Sequence, residues 1–594
     1  MKKALILLSV LLLVFCSIFA LSSCGILLKK AGLYDGYEYH VNSEYEITLT
    51  SYKGEDTKLE IPSWIDGYKV VGIAFDKNDE SLKNIESIKI PKTIVSISAD
   101  TFLPCTNLKE ITVALDNPEY KYFHGSLYSK DGKNLICYPQ AKEDEELELQ
   151  KKVNVISDNA LRGARNLKSV KFAGVEYVGD FSFSGCTELK DINFGTKLKE
   201  IGDGAFENCS ALTAINIPDA VESIGASAFK GCTGINTISL GSGVGYVGSY
   251  AFETLDGIVG VTEHNGAYYL GNQNDPCVLF VKVADNTLEE YSIDIGTNVI
   301  YGSAFEGCVN LKNIEIPNRL SCIGNRAFYN CKSLLRVEIP EAVNTIEEYV
   351  FYGCSSMTEV VIPSSVSEIG NSAFACCTSL PSITLSNRTK FLGHLVFSEC
   401  TSLKNIDIPA CLTYIGNSAF SGCESLENLY IPSAVEFVGD SVFERCLSLM
   451  YTEYEGAYYL GNAENPYLIL TRATDVDIMS VTISENTKFI YDSAFYGCTK
   501  LTAITIPTSV VQIGASAFEH CRALTEITIP SGVGYIGETA FYSCVSLVSV
   551  SFTDAYNWIT DENIVDAQAL SNPSYAAEIM RSQGKTMTKL DPEA

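Results

Sequence analysis

Cysteine, histidine, serine and paired acids are the residues here that could make bonds or hold metals. Fourteen of the 21 cysteines share one spacing, three residues after an aromatic-type position: Cys105, Cys186, Cys209, Cys232, Cys308, Cys331, Cys354, Cys377, Cys400, Cys423, Cys446, Cys498, Cys521 and Cys544. Cysteines of exported chains commonly pair as disulfides. A residue that returns once per unit is instead a stacked ladder, where free cysteine packs as a small apolar group. Parallel ladder side chains do not point at one another, so free thiols are expected although neighbouring Cα atoms would be close enough to bridge. There is no C-x-x-C, and Cys376-Cys377 lacks a second pair at zinc spacing, so no metal site is expected. The histidines His40, His124, His264, His394 and His520 fall in unrelated columns and form no H-E-x-x-H. No G-x-S-x-G elbow occurs, and Ser227, Ser372, Ser418, Ser493 and Ser516 share one repeat column. Two G-x-G-x-x-G matches, "GVGYVG" at 243–248 and "GVGYIG" at 532–537, occupy columns filled elsewhere by "AVESIG" and precede no helix with an acidic partner. No acidic pair recurs in a defined geometry. No catalytic residue and no cofactor is expected, and the chain does not read as an enzyme.

The elements that carry these residues follow one rule. Phe206, Phe229 and Phe252 are 23 residues apart, and so are the members of the runs Phe305 to Phe443 and Phe495 to Phe541. Six residues after each Phe stands Leu or a like residue (Leu212, Leu311, Leu380, Leu403). Nine and eleven after stand Ile, Val or Leu (Ile215 and Ile217, Ile406 and Ile408). The last two alternate with a variable residue, which is strand spacing. Pro218, Pro340, Pro409 and Pro530 then end the strand, where no ladder donor is needed. Gly225, Gly324, Gly370, Gly416 and Gly514 mark a later bend. One such coil cannot bury its own apolar side, but a stack of coils buries a continuous core. The invariant columns therefore face inward and the variable ones outward.

This pattern, L-x-x-I-x-I-P-x-x-V-x-x-I-G-x-x-A-F-x-x-C, resembles the BspA-like leucine-rich repeat family of bacterial surface proteins over about residues 45–552. The resemblance implies an α/β-type repeat solenoid: leucine-rich repeats of 23 residues whose short parallel strands stack into a curved array, with few helices and three β-hairpin-like insertions. It also implies a cell-surface location and a role in adhesion.

Insertions are expected near 116–152, 256–297 and 447–488. The last two are siblings, "NGAYYLGNQNDPCVLFVKV" at 265–283 and "EGAYYLGNAENPYLILTRA" at 455–473, each read as two strands around an Asn/Pro-rich turn. In the first, Asp131-Gly132 marks a hairpin turn. Residues from 45 resemble a degenerate first unit of the family, and 553–594 read as a C-terminal cap with a helix near 574–584.

The N-terminus carries Lys2 and Lys3, an apolar run, then Leu21-Ser22-Ser23-Cys24, which resembles a bacterial lipobox. Residues 1–23 would be a lipoprotein signal peptide, Cys24 the lipidated residue, and 24–44 a tether, giving a chain held by lipid on the outer membrane face at the cell surface. The alternative is an uncleaved membrane anchor. A formal charge of −29 opposes binding to nucleic acid.

The remaining candidate site is surface. Variable strand-face columns include Lys312, Glu315, Arg336, Glu338, Lys404, Asp407 and Tyr430, and the insertions add Tyr268, Tyr269, Tyr458 and Tyr459, of which half should face inward. They suit an extracellular protein partner, in host matrix or on another cell, or a polysaccharide. The expected function is a cell-surface, adhesin-like binding protein. The alternative is a non-catalytic structural or glycan-binding scaffold of the envelope.

Overall fold

The computed structural model describes residues 31–590 apart from 43, 253–254, 256, 555, 561–563, 566 and 583. The expected signal peptide, residues 1–23, and Cys24 lie outside the described residues. The chain forms two compact units, the first ending at Val261 and including 271–274, the second taking 262–270 and everything from Asp275. Both are built from the same coil, in a β-solenoid of about 22 turns.

Each coil begins with a three-residue strand on the variable face. In the first unit Glu146–Glu148, Ser169–Lys171 and Asp191–Asn193 pair in parallel, as do Ala214–Asn216 and Thr237–Ser239. A turn closed by the proline carbonyl follows, as where Val221 N–H donates to Pro218 at 3.1 Å. A two-residue strand comes next, and these form a second parallel ladder: Val155–Ile156, Tyr177–Val178, Glu200–Ile201, Ser223–Ile224 and Tyr246–Val247. Tyr246–Val247 and Tyr535–Ile536 lie inside the two G-x-G-x-x-G matches, which are therefore strand, not phosphate loop. The rest of the coil, carrying Phe and Cys, is a run of turns. Among the described residues helix is confined to a short 3-10 segment at Glu80–Asn84 and to the C-terminal cap.

Those turns also bond coil to coil: Phe206 N–H donates to Ala228 and Phe351 N–H to Ala373, each at 2.8 Å. Inside them the phenyl rings stack, with Phe206 and Phe229 5.3 Å apart and Phe374 and Phe397 5.7 Å apart, nearly parallel. The ladder residues Phe305, Phe328, Phe351, Phe374, Phe397 and Phe420 of the second unit are fully buried. Stacking like rings in register is what a fixed 23-residue period permits.

The glycine column has a different cause from the bend inferred above. Gly416 has no positive φ, and a Cβ there would lie 2.6 Å from the carbonyl carbon of Gly393 in the preceding coil. The next residue explains a histidine that the repeat pattern had left unplaced. Asp180 and Asp203 accept the amide of the following coil at 2.8 and 2.6 Å. His394 occupies that column, and its Nδ1 accepts from Asn417 N–H at 2.9 Å.

Residues 31–41, expected to be tether, are strand. Ala31–Tyr34 and Tyr37–Val41 form a hairpin that pairs onto Glu46–Tyr52, and Tyr37, Tyr39 and Val41 are buried. The alternation of Tyr and Val with polar residues drives this, and the ordered N-terminal cap starts at least as early as Ala31. At the other end, Met587–Lys589 pairs antiparallel with both Tyr535–Ile536 and Trp558–Ile559. The helix Pro573–Ser582 buries Ala576, Ala577 and Met580 over the last coil, and Trp558 is buried beside them.

Within the second unit the short-strand ladder is interrupted. One ladder runs from Leu279–Val283 through Val299–Ile300 to Cys322–Ile323, another from Thr345–Ile346 to Phe437–Val438, and a third starts in the last insertion and continues through Phe489–Ile490, Gln512–Ile513 and Tyr535–Ile536. At the second break the buried Gln512 amide takes both backbone groups of Val438, accepting from its N–H and donating to its carbonyl.

Candidate functional site

Each insertion is a three-stranded antiparallel meander placed before a short strand: Tyr120–Phe123, Ser126–Ser129 and Asn134–Cys137; Val261–His264, Ala267–Leu270 and Leu279–Val283; Thr452–Tyr454, Ala457–Leu460 and Ile469–Ala473. Their first turns place two successive residues at positive φ: His124-Gly125, Asn265-Gly266 and Glu455-Gly456. That is the type I′ geometry that matches strand twist. Each meander therefore has one strand more than the pair read from sequence. Tyr269 and Tyr459 point inward and are fully buried, whereas Tyr268 and Tyr458 are half-exposed. Lys282 sits over Tyr268, and Arg472 over Tyr458.

The strand-face residues divide by what they touch. Lys312 is 2.7 Å from Glu289 of the preceding coil, and Arg336 lies between Glu338 at 3.8 Å and Glu359 at 3.6 Å. The same step of one coil joins Lys168 to Glu145 and Lys171 to Glu148. Such exposed pairs contribute little stability, but they occupy charges that a partner would need. Glu315, Lys404 and Asp407 are exposed and have no ion-pair partner among the described residues. Tyr430 is 62% exposed, and Leu335, Val361 and Met450 add exposed apolar surface in the same variable columns.

Tyr430 also borders a cleft of about 550 Å³ lined by Ile408, Ala410, Pro432, Ala434 and the insertion residues Asn462 to Glu464. The insertion turn is fixed there because Asn462 Nδ2 donates to the carbonyl of Ile431 at 2.8 Å. The sibling turn is held alike, with Asn272 donating to Leu240 at 3.2 Å. At the matching positions, however, it has Ser239 for Tyr430 and Asp219 for Ala410. The first sibling thus lacks the aromatic and one apolar wall residue of this cleft. Sequence could supply Tyr430 but not the cleft, because the turn that walls it folds back from 31 residues away.

The groups scanned for chemistry have structural roles. The described ladder cysteines are free and buried. The serine column is a left-handed backbone position: Ser227, Ser372, Ser418, Ser493 and Ser516 have φ of 52–55°. One cluster escaped the sequence reading. His264, Cys277 and Asp294 bring their ligand atoms within 4.8 Å of one another, from three separate segments of the first sibling insertion and its following strand. His264 Nε2 is 3.3 Å from Asp294 Oδ2 and 3.0 Å from the Asn265 amide. Burial, then Asp294 and Asp275, push the Cys277 thiol up to about 11. A thiol held protonated at neutral pH is a poor nucleophile.

Known proteins extend these observations. A family model described as BspA type leucine rich repeat region matches in 6 copies, over residues 78–128, 137–272, 283–380, 345–459 and 474–582. No curated protein matches the chain. Among solved structures, a leucine-rich repeat protein from Bacteroides ovatus is 24% identical, with 73% of this chain and 92% of that chain covered and a TM-score of 0.29. A leucine rich cell surface protein from Faecalibacterium prausnitzii is 19% identical, with 88% and 95% covered and a TM-score of 0.19. The pneumococcal vaccine antigen PcpA is 18% identical, with 69% and 93% covered and a TM-score of 0.24.

Proposed function

Because the chain belongs to the BspA-type leucine-rich repeat family, we propose that it is a cell-surface binding protein, adhesin-like, exported and held by lipid on Cys24. Its ligand is an extracellular protein gripped by the strand face of the second unit. Tyr430 carries this reading: it is a 62% exposed tyrosine bordering an apolar cleft of about 550 Å³. Tyrosine supplies large rigid contact area, and interface affinity concentrates in such anchors set in pockets. Around it, the unpaired Glu315, Lys404 and Asp407 offer charges of both signs for register and encounter rate. Lys312 and Arg336, already paired across coils, and Glu338, paired with Arg336, contribute less. Tyr268 and Tyr458, under their cations, form a separate and weaker surface. A non-catalytic role fits the burial of the ladder thiols and the backbone role of the serine column.

The test is a binding screen of the purified protein against extracellular matrix proteins and polysaccharides. A protein ligand whose affinity falls at least about tenfold in Tyr430→Ala, with unchanged thermal stability, supports the reading. Binding only to polysaccharide, or a protein ligand indifferent to Tyr430→Ala and to Lys404→Ala, overturns it.

A further inference from the structure

We propose that His264, Cys277 and Asp294 form a zinc-class divalent metal site that clamps the first sibling insertion to the coil after it. Their set of imidazole, thiolate and carboxylate is what zinc takes, and three protein ligands leave one position for water or an exogenous group. The ligand atoms already lie within 4.8 Å of one another. A tetrahedral ion at about 2.0–2.3 Å from each ligand asks for separations of roughly 3.3–3.8 Å. The His264 to Asp294 pair already meets that at 3.3 Å, so the closure falls to the separations that involve Cys277.

The surroundings orient the ligands. Asp294 Oδ1 accepts from Gly296 N–H at 2.8 Å, and the Asp294 N–H donates to the Tyr269 hydroxyl at 3.3 Å. Such outer contacts fix ligand direction in metal sites. Asp275 converges on the same point: a Cβ on Gly296 would be 3.2 Å from Asp275 Oδ1 and 3.1 Å from Asp294 Oδ1. Two carboxylates and a thiol thus meet beside one imidazole and the Arg319 guanidinium, 3.8 Å from Asp275. Cys277 is 5% exposed, lies outside the cysteine ladder register, and its thiol has no hydrogen bond among the described residues.

The sibling insertion supplies an independent observation. At the three matching positions it has Tyr454, Tyr467 and Ser484. There Tyr454 and Tyr467 pack ring against ring at 4.9 Å, closing the same space with an aromatic contact. The three positions differ together: one copy has an apolar clamp, the other three metal-ligating side chains. On binding, Cys277 releases its proton to solvent and the thiolate joins the ion, so affinity rises with pH.

The test uses the reduced full chain, with zinc and then cobalt as probes. One zinc ion per chain should survive desalting, and cobalt should give the thiolate-to-cobalt charge-transfer band, lost on adding zinc. His264→Asn and Asp294→Asn alter side chains near the surface, so the fold should persist. Each should weaken zinc binding by more than the about 10–100-fold that outer-shell changes cost. Cys277→Ser should abolish the band. Zinc should raise the melting temperature of the wild type. It should not do so for the triple variant His264→Tyr, Cys277→Tyr, Asp294→Ser, which copies the sibling. No retained zinc in the wild type, or retention and band unchanged in His264→Asn, overturns the proposal.

Discussion

The thiol of Cys400 donates a hydrogen bond to the carbonyl oxygen of Phe374, 3.1 Å away in the preceding coil. That oxygen also accepts the Cys377 N–H at 3.2 Å, within its own coil. The relation repeats along both units, as from Cys209 to Phe183 at 3.2 Å and from Cys544 to Phe518 at 3.0 Å. Where the next coil carries the cysteine, as from Phe374 to Cys400, a ladder phenylalanine thus presents its ring to the next ring and its carbonyl to the next thiol. Cysteine suits the site because it is small, apolar and still a weak donor.

Cys400→Ala should cost about 1 kcal/mol, since the carbonyl keeps its Cys377 partner and only a small cavity opens. Cys400→Val should cost about 1–3 kcal/mol through overpacking between fixed coils. Urea unfolding compares the two. In the folded protein the ladder thiols should resist alkylation, because burial raises the Cys400 thiol far above its ordinary value. After unfolding without reductant they should all label. Extensive disulfide linkage on mass analysis would contradict the ladder.

Phe374→Ala, mid-stack in the second unit, should cost about 3–5 kcal/mol, because rings at 5.4 and 5.7 Å on either side lose their partner. Glu315→Ala on the exposed face should stay within about 0.5 kcal/mol. Phe420 against Asp407 should repeat the contrast. Equal losses in chemical denaturation would mean that the inward and outward columns are exchanged.

What sequence could supply follows the period. The Phe, Leu and Ile columns recur often enough to fix strands, core and outward face, and Tyr269 and Tyr459 obey strand alternation. Features set by the approach of one coil to another leave only a residue preference in sequence. Gly416 reads as a flexible bend until the carbonyl carbon of Gly393 is placed 2.6 Å from its missing Cβ. His394 looks alone until its column of amide acceptors is known. His264, Cys277 and Asp294 lie 13 and 17 residues apart in one copy of an insertion, so no period gathers them. Residues 31–41 are too short a stretch, too near the apolar run at 4–20, for their alternation to stand out.

Leu395→Gly should stabilise the protein by about 0.5–1 kcal/mol. Leu395 lies two residues before Phe397, has φ of 56° and is 42% exposed. A Cβ is disfavoured there, and glycine keeps the amide that bonds Asn417. Leu395→Val should instead destabilise by about 1 kcal/mol, as branching worsens the clash. The thermal midpoints should move in opposite directions.

Gln512→Ala should cost roughly 2–4 kcal/mol, because both the N–H and the carbonyl of Val438 lose their partner at a buried position. Gln512→Glu should be as harmful near neutral pH, since a carboxylate cannot donate to the carbonyl. Hydrogen exchange at the Val438 amide should rise in both variants.

The same break in the ladder makes stability depend on pH. Asp440 and Asp492 occupy the amide-acceptor column, and each carboxyl group acts electrostatically on the other. Burial, then the like charge of Asp440, push Asp492 up to about 7, although its oxygens accept from Ser441 N–H at 2.6 Å and Ala515 N–H at 2.9 Å. Glu538 adds a further like charge facing Asp440, and Tyr491 and Tyr535 line the surroundings. In the unfolded chain an aspartate titrates near about 4. Between about pH 4 and 7 the folded state therefore holds a proton that the unfolded state has lost. Its contribution is complete below about pH 4 and is lost as pH rises through about 7, a fall of roughly 1–3 kcal/mol from this pair. In Asp440→Asn the amide can donate to Asp492, which then ionises and still accepts both backbone amides. The variant should match the wild type near pH 4, exceed it at pH 8, and show a flatter profile between. A wild-type profile that rises from pH 5 to 8 and is unaltered by Asp440→Asn would mean that the two carboxyl groups share no proton in the folded chain.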